Sequence, residues 1–181
     1  MIGVLVSGEG SNLQALLDDG LPIVAVASNR GEARALARAE TAGIAAECFP
    51  VDAYESREAR DAAMADWLAA RGVEWVVLAG YMQLLRPVFL ERFGGRVINV
   101  HPALLPEFPG AHAIEEALAA GVPETGATVH YVDEGVDSGP VIVQERVVVE
   151  PGDTVETLRA RIQAVEHELL PRVVRDLCLA R

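Results

Sequence analysis

Residues 2–17, "IGVLVSGEGSNLQALL", decide the fold class of this chain. The first six are apolar or small, which predicts a buried strand over 2–7. Glycines at positions 8 and 10 then break the strand, and a helix is predicted over 11–19. A strand that leads through a tight turn into a helix is the first half of a βαβ unit, so the stretch predicts a parallel sheet.

The same alternation continues through the first hundred residues. Further strands are predicted over 23–28, 45–50, 75–80 and 96–101, with helices near 32–42, 56–71 and 87–93. After residue 110 the pattern predicts a helix over 113–120, two strands over 127–132 and 140–149 joined by a polar turn, and a long C-terminal helix capped by Asp153 or Thr154. The chain is therefore predicted to be one α/β domain, 1–181, with a Rossmann-like open, mostly parallel sheet, helices on both faces, and an antiparallel hairpin toward the C-terminal half.

Composition and charge exclude several classes of function. Apolar residues make up 51% of the 181 residues, as in a compact globular protein, and the net charge of −12 disfavours non-specific binding to nucleic acid or to an anionic membrane. All 15 basic residues are arginine, which excludes a Schiff-base lysine and a Walker loop. The chain shows no leader or long apolar run, and its two cysteines lack metal-ligand spacing, so a reduced cytoplasmic location is expected.

The glycine-rich turn after the first strand is a candidate phosphate site. Ligands of open α/β sheets bind outside the carboxyl ends of the strands. Backbone amides at Gly10, Ser11 and Asn12 would face such a ligand at the start of a helix. The dinucleotide fingerprint is absent, because Leu13 stands where a third glycine is required. A simple tight turn capped by Ser11 or Asn12 is the alternative.

A second candidate site lies in "VINVHPALLPEFPG", residues 97–110. Asn99 and His101, two residues apart on a strand, point to one face and could both donate hydrogen bonds to an oxygen that becomes negative. The turn "DEGVDSGPVI", residues 133–142, carries carboxylates that could reach His101 and favour its imidazolium form; a solvated acidic turn is the alternative. The other histidines, at positions 112, 130 and 167, have no metal-site spacing and no evident carboxylate partner, so they are predicted to be structural, with no metal site.

Five segments in order resemble the phosphoribosylglycinamide formyltransferase family of purine synthesis. They are "GEGSNLQAL" (8–16), "VVLAGYMQLLRP" (76–87), "NVHPALLPEFPG" (99–110), "DEGVDSGPVI" (133–142) and "RIQAVEHELLP" (161–171). The resemblance implies transfer of a formyl group from 10-formyltetrahydrofolate, as co-substrate and without a metal, to the amine of glycinamide ribonucleotide. It also implies small-molecule partners only, in a monomer or homodimer.

The resemblance assigns roles residue by residue. Asn99, His101 and Asp137 fall on the catalytic positions of the family. Gly10, Ser11 and Asn12 fall on its phosphate loop, and Gln163 and Glu166 on positions that contact the ribonucleotide. The folate site takes Arg57, Met82, Gln83, Leu84, Leu85, Asn99, Asp133, Glu134, Gly135, Val136 and Asp137. Residues 1–100 are accordingly expected to form the nucleotide- and phosphate-binding half, and residues 101–181 the folate and catalytic half.

The sequence departs from the family pattern at three positions and leaves other activities open. Ala103 replaces a usual serine, Gln83 a common arginine, and Glu9 a usual neutral residue; the Glu9 side chain is expected to point to solvent. A methionyl-tRNA formyltransferase or a formyltetrahydrofolate hydrolase would resemble the same core, but each carries a further domain. A non-catalytic nucleotide-binding module is the alternative from another class.

Overall fold

The computed structural model describes residues 1–179 as one sheet covered by helices on both faces. The strands are β1 (Ile2–Val6), β2 (Ile23–Ser28), β3 (Ala45–Cys48), β4 (Trp75–Leu78), β5 (Val97–His101), β6 (Glu124–Tyr131) and β7 (Val141–Val148). The helices are α1 (Ser11–Asp18), α2 (Arg34–Thr41), α3 (Arg57–Ala69), α4 (Pro87–Phe93), α5 (Ala113–Ala120) and α6 (Val155–Cys178), with a short 3₁₀ turn at Val51–Ala53. In this part of the chain no helix is both long enough and apolar enough to cross a bilayer.

The strand order β3-β2-β1-β4-β5-β6-β7 confirms the predicted mostly parallel sheet. The pairs among β1 to β5 are parallel, whereas β6 runs antiparallel to both β5 and β7. The order reverses between β1 and β4, because the chain fills one side of β1 before it crosses to the other. Such a reversal opens a crevice at the carboxyl ends of the two strands.

Several strand ends differ from the sequence expectation. β4 ends at Leu78 and not at residue 80, because Gly80 adopts a left-handed φ of 76° that turns the chain away from the sheet. β3 ends at Cys48, two residues early. β6 begins at Glu124, three residues before the predicted start, because residues 124–126 pair with β7 as far as Val148. The connection between β6 and β7 is a nine-residue loop, 132–140, which is one residue longer at each end than the predicted polar turn.

Side chains of alternating strand residues pack into two separate cores. On β1, Val4 and Val6 face α1, α2 and α6, whereas Leu5 faces α3 and α4. The helix α6 begins at Thr154, whose side chain accepts a hydrogen bond from the Thr157 amide. Of the two predicted caps, Thr154 therefore takes the N-cap position, and Asp153 pairs with Arg161 at 2.8 Å.

A fully buried ion pair joins α3 to the start of α4. Arg60 donates from Nε and Nη2 to Oδ1 of Asp61, at 2.9 and 2.7 Å, and both side chains are 0% exposed. The second oxygen of Asp61 accepts the backbone amide of Arg86 at 2.8 Å. The pair therefore fixes the chain directly after residues 82–85, which were predicted to contact folate.

Candidate active site

A cavity of about 580 Å³ lies at the carboxyl ends of β1, β4 and β5, where the strand order reverses. Its volume is in the range usual for small-molecule sites. The lining comes from the turn after β1, the segment after β4, the end of β5, the loop after β6, and one face of α6. Both halves of the chain contribute to it, so the two predicted half-sites form a single cavity.

The glycine-rich turn presents an uncapped helix N-terminus to this cavity. Gly10 is the N-cap of α1, with φ 75° and ψ 32°, and no side chain caps the helix. Neither Ser11 nor Asn12 serves as a cap, since both lie inside the helix. Backbone amides at such an end are available to an anion, which is the arrangement expected of a phosphate site.

A glycine is needed at position 10 because the backbone has a left-handed φ and because Ala35 leaves no room for a side chain. A Cβ at this position would lie 2.6 Å from Cβ and 2.9 Å from Cα of Ala35. We expect Gly10→Ala to lower stability and to raise the KM for a phosphorylated substrate at least tenfold, because the loop must move away from α2. The matched control is Gly20→Ala, which has a similar φ of 70° and no atom within 4 Å of the added Cβ. Equal substrate KM values in the two variants would contradict the prediction.

Asn12 and Glu166 connect the glycine-rich turn to α6. Asn12 Nδ2 donates to Glu166 Oε2 at 3.0 Å, and the Glu166 side chain is 5% exposed. Burial raises the pKa of Glu166 to about 7, against the smaller lowering effect of the Asn12 hydrogen bond. Gln163, about one helical turn earlier, lines the same side of the cavity. The two α6 residues assigned to the ribonucleotide thus share a wall with the candidate phosphate site.

The raised pKa of Glu166 predicts a pH-dependent stability. The pKa of Glu166 rises from 4.5 to about 7 on folding. The contribution of this group to the free energy of unfolding is therefore fully present below pH 4.5 and is lost as the pH rises through about 7. Glu166→Gln keeps an oxygen for Asn12 but cannot ionise. We expect the Tm of the variant, relative to the unchanged protein, to increase over this pH interval. Glu168→Gln, on the exposed face of α6, is the control and should leave the difference in Tm flat.

Asn99, His101 and Asp137 lie together in the wall of the cavity. Asn99 and His101 lie on β5, and Asp137 lies in the loop after β6. Asp137 Oδ2 is 3.3 Å from His101 Nδ1, and Asp137 Oδ1 is 3.4 Å from Asn99 Nδ2. Asp133, by contrast, accepts hydrogen bonds from Ser138 and the Gly135 amide in its own loop. Of the three acidic residues in the turn, Asp137 is therefore the one that pairs with His101.

The environment of Asp137 keeps its carboxylate ionised. Burial acts to raise the pKa of Asp137, whereas hydrogen bonding, which includes the Gly110 amide at 2.8 Å, and the charge of His101 lower it; the net pKa lies below its ordinary value of 3.8. Asp137 has a left-handed φ of 50°, an uncommon angle for a residue other than glycine. The loop conformation thus directs this carboxylate toward β5.

His101 has a hydrogen-bond acceptor at each ring nitrogen. Nε2 lies 2.7 Å from the carbonyl oxygen of Phe108, and Nδ1 faces the carboxylate of Asp137. Since both neighbours only accept, the doubly protonated ring satisfies both contacts. The side chain is 4% exposed, so this charge is held in a largely dry site. The arrangement provides a fixed positive group beside the Asn99 amide.

His130 is a residue of this cluster that the sequence reasoning missed. The expectation that it has no carboxylate partner is wrong: its Nε2 is 3.5 Å from Asp137 Oδ1 and 3.1 Å from Asn99 Nδ2. The contact arises because His130 on β6 is paired with Asn99 on β5 in the antiparallel register. The sequence indicated a strand over 127–132 but gave no sign of which strand would pair with it.

The residues assigned to folate line one end of the cavity, with two exceptions. Met82, Gln83, Leu84 and Leu85 follow β4, and Asp133, Gly135, Val136 and Asp137 come from the loop after β6. The Met82 amide donates to Ser7 Oγ at 2.8 Å, which holds this segment against the turn after β1. Arg57, the first residue of α3, and Glu134 are not among the lining residues. Their assignment to the folate site remains a prediction.

The three departures from the family pattern leave the cluster intact. Glu9 pairs with Arg34 at 3.1 Å and its side chain is 66% exposed, which confirms that the carboxylate points to solvent. Ala103 is buried, and its carbonyl oxygen accepts from Thr128 Oγ1. Gln83 lines the cavity. Across residues 1–179, no three histidine, cysteine or acidic side chains are grouped in a way that could hold a metal ion.

Comparisons with known proteins agree with this architecture. The Formyl transferase family matches residues 1–174. The chain is 42% identical to the phosphoribosylglycinamide formyltransferase of Escherichia coli (strain K12), over 96% of this chain and 84% of that protein. The crystal structure of phosphoribosylglycinamide formyltransferase from Streptococcus pneumoniae TIGR4 superposes with a TM-score of 0.94 at 42% identity, covering 98% of each chain.

Longer relatives contain the same unit. The chain is 46% identical to the trifunctional purine biosynthetic protein adenosine-3 of Drosophila pseudoobscura pseudoobscura, over 96% of this chain but 13% of that protein. It likewise spans 18% of the length of the Bos taurus protein of the same name, at 43% identity. The family match covers nearly the whole chain, and several relatives exceed 40% identity. This chain belongs to the formyl transferase family.

Proposed function

We propose that this protein transfers the formyl group of 10-formyltetrahydrofolate to the primary amine of glycinamide ribonucleotide, as a step of purine synthesis. The products are formylglycinamide ribonucleotide and tetrahydrofolate. The observation that carries the proposal is the placement of Asn99, His101 and Asp137 in one cavity that also contains an uncapped helix N-terminus. Formyl transfer needs donors for a developing oxyanion, and a phosphorylated acceptor needs an anion site.

The chemistry assigned to the cluster is electrostatic. As the amine attacks, negative charge develops on the formyl oxygen, and the His101 imidazolium and the Asn99 amide donate hydrogen bonds to it. The new carbon–nitrogen bond forms as the bond to the folate nitrogen breaks, and one proton passes from the amine to that nitrogen. Asp137 keeps the His101 ring charged, and we propose that it assists the transfer of this proton through a water molecule.

The carbonyl of Phe108 has to release His101 for this step. In the structure it accepts from Nε2 at 2.7 Å, the same N–H that would serve the formyl oxygen. Phe108 has a left-handed φ of 50°, so its carbonyl direction depends on an uncommon backbone angle in the proline-rich loop. We propose that the formyl oxygen replaces this carbonyl as the acceptor when the donor substrate binds.

Part of the cavity wall suits a planar aromatic ring. Met82, Leu84 and Val136 are 63%, 47% and 51% exposed, which is high for large apolar side chains. All three line this cavity, together with backbone groups of the loop 133–137. A bicyclic ring placed here would cover the apolar side chains and meet backbone donors and acceptors at its edge. These features support a folate as the formyl donor.

The test is an absorbance assay of purified protein with a 10-formyl folate, run with and without glycinamide ribonucleotide. We expect deformylation only when the acceptor is present, and a KM at least a hundredfold higher for the same acceptor without its phosphate. Deformylation that needs no acceptor would favour a hydrolase instead. A folded protein that binds no folate would refute the proposal.

A further inference from the structure

His130 is positioned to control the direction of the Asn99 amide. The ring is 2% exposed and lies on β6 directly opposite Asn99. Its Nδ1 is 2.8 Å from the carbonyl oxygen of Tyr131, and its Nε2 is 3.1 Å from Asn99 Nδ2. The proposed function assigns the oxyanion donors to Asn99 and His101 and leaves this buried ring without a role.

The neighbours of the two ring nitrogens identify the tautomer. A backbone carbonyl only accepts hydrogen bonds, so Nδ1 of His130 carries a proton and donates to Tyr131. At Nε2 the nearest neighbour is the Asn99 carboxamide nitrogen at 3.1 Å, which only donates and so requires a free lone pair on the ring. The carboxylate oxygen of Asp137, which would favour a proton on Nε2, is farther away at 3.5 Å. His130 is therefore neutral, with its proton on Nδ1, and acts as an acceptor for Asn99. This role is opposite to that of His101, whose two nitrogens both face acceptors.

The Asn99 amide nitrogen has two acceptors on the same side. Asp137 Oδ1 is 3.4 Å from Asn99 Nδ2, and it lies only 3.5 Å from His130 Nε2. The three distances place the two acceptors well apart as seen from Nδ2, but closer together than the two N–H bonds of an amide. An N–H that is aligned with His130 Nε2, the nearer acceptor, leaves the second N–H poorly aligned with Asp137 Oδ1 and available to a ligand.

We infer that His130 is a positioning residue that, as the Nδ1-protonated neutral ring, orients the Asn99 amide so that one of its N–H groups points to the reacting formyl oxygen. The inference rests on the proposed formyl transfer and adds a fourth side chain to that site. We expect it to act through Asn99, which is nearer to its Nε2 than Asp137 is, at 3.1 against 3.5 Å. Loss of the acceptor at Nε2 leaves the amide free to turn its oxygen toward the developing negative charge, which opposes catalysis.

Two substitutions of His130 test the contacts of its two ring nitrogens separately. His130→Gln places an amide oxygen near the position of Nε2 and keeps an acceptor for Asn99. His130→Asn places an amide nitrogen near the position of Nδ1, keeps the donor to Tyr131 and removes that acceptor. We expect His130→Asn to lower kcat about 10- to 100-fold with the KM of both substrates within about twofold, and His130→Gln to stay within about fivefold of the unchanged kcat.

A double-mutant cycle with Asn99→Ala tests whether His130 acts through Asn99. In the Asn99→Ala background, His130→Asn should lower kcat by no more than about twofold, because the amide that it orients is gone. The same loss in both backgrounds, or an equal loss for the Gln and Asn variants at unchanged Tm, would overturn the inference. Such results would indicate that His130 only packs between the strands.

A second measurement does not depend on turnover. Nitrogen-15 NMR of the His130 ring at the assay pH should show a protonated Nδ1 and an unprotonated Nε2, and the Nε2 signal should shift in Asn99→Ala. A proton on Nε2 would overturn the inference even in an active enzyme. Absence of turnover in the unchanged protein would count against the proposed function. The NMR result would count only for or against the role of His130, so the two failures can be told apart.

Discussion

Replacing His101 with alanine is expected to lower kcat for formyl transfer about 10²- to 10³-fold, the usual cost of removing one donor to an oxyanion. His101 Nδ1 lies 3.3 Å from Asp137 Oδ2, and His101 is 4% exposed. Little water is therefore available to stabilise the oxyanion once the imidazolium has been removed. The loss should appear in kcat, because the donor acts on charge that develops after the substrates have bound.

The measurement is steady-state turnover with both substrates, accompanied by Tm. His112→Ala is the matched control, since this histidine is exposed, precedes α5 and does not line the cavity. Its kcat should remain within about twofold of the unchanged protein. If His101→Ala retained full kcat while folded, the oxyanion role would have to pass to Asn99 alone. A loss confined to KM would indicate that His101 binds substrate without acting on the transition state.

The part of this site that follows from strand periodicity was predictable from the sequence. Asn99 and His101 share a face because they are two residues apart on a strand. Gly10 lies in the turn that connects the first buried strand to α1, so its place beside the cavity followed from the order of the elements. The position of the candidate site at the carboxyl ends of the strands was expected from the βαβ alternation. These features are local, and the structure places all of them as expected.

What escaped prediction depends on distant parts of the chain. His130 meets Asn99 because β6 pairs antiparallel with β5 in one register, and 25 residues between His101 and Ala127 separate these strands in the sequence-based assignment. The periodicity of each strand is the same whichever partner it takes. The burial of Arg60 and Asp61 was equally hidden, since a charged pair on a helix is ordinarily exposed. They are buried because α3 packs against parts of the chain that are distant in sequence, α4 among them.

Replacing Asp61 with asparagine is expected to destabilise the protein by about 3 to 5 kcal/mol, because it leaves the Arg60 guanidinium buried without a counter-charge. Both side chains are 0% exposed, and Nη1 of Arg60 already has no hydrogen-bond partner. For a chain of this size the loss corresponds to a decrease in Tm of about 6 to 20 °C. Asp66→Asn is the control on the same helix: its carboxylate is 79% exposed and 3.8 Å from Arg92, so its removal should cost less than about 1 kcal/mol.

Asparagine and alanine at position 61 should differ in their effect on the segment 82–85. Asp61 Oδ2 accepts the Arg86 amide at 2.8 Å, and an asparagine oxygen keeps that contact, so the segment 82–85 should remain in place below the Tm. Asp61→Ala removes the contact and should also raise the KM for the formyl donor.

Adding Arg60→Met to Asp61→Asn should restore part of the lost stability, because the unpaired charge is then gone. If the double variant were as unstable as Asp61→Asn, the cost would lie in the lost hydrogen bonds and not in the buried charge.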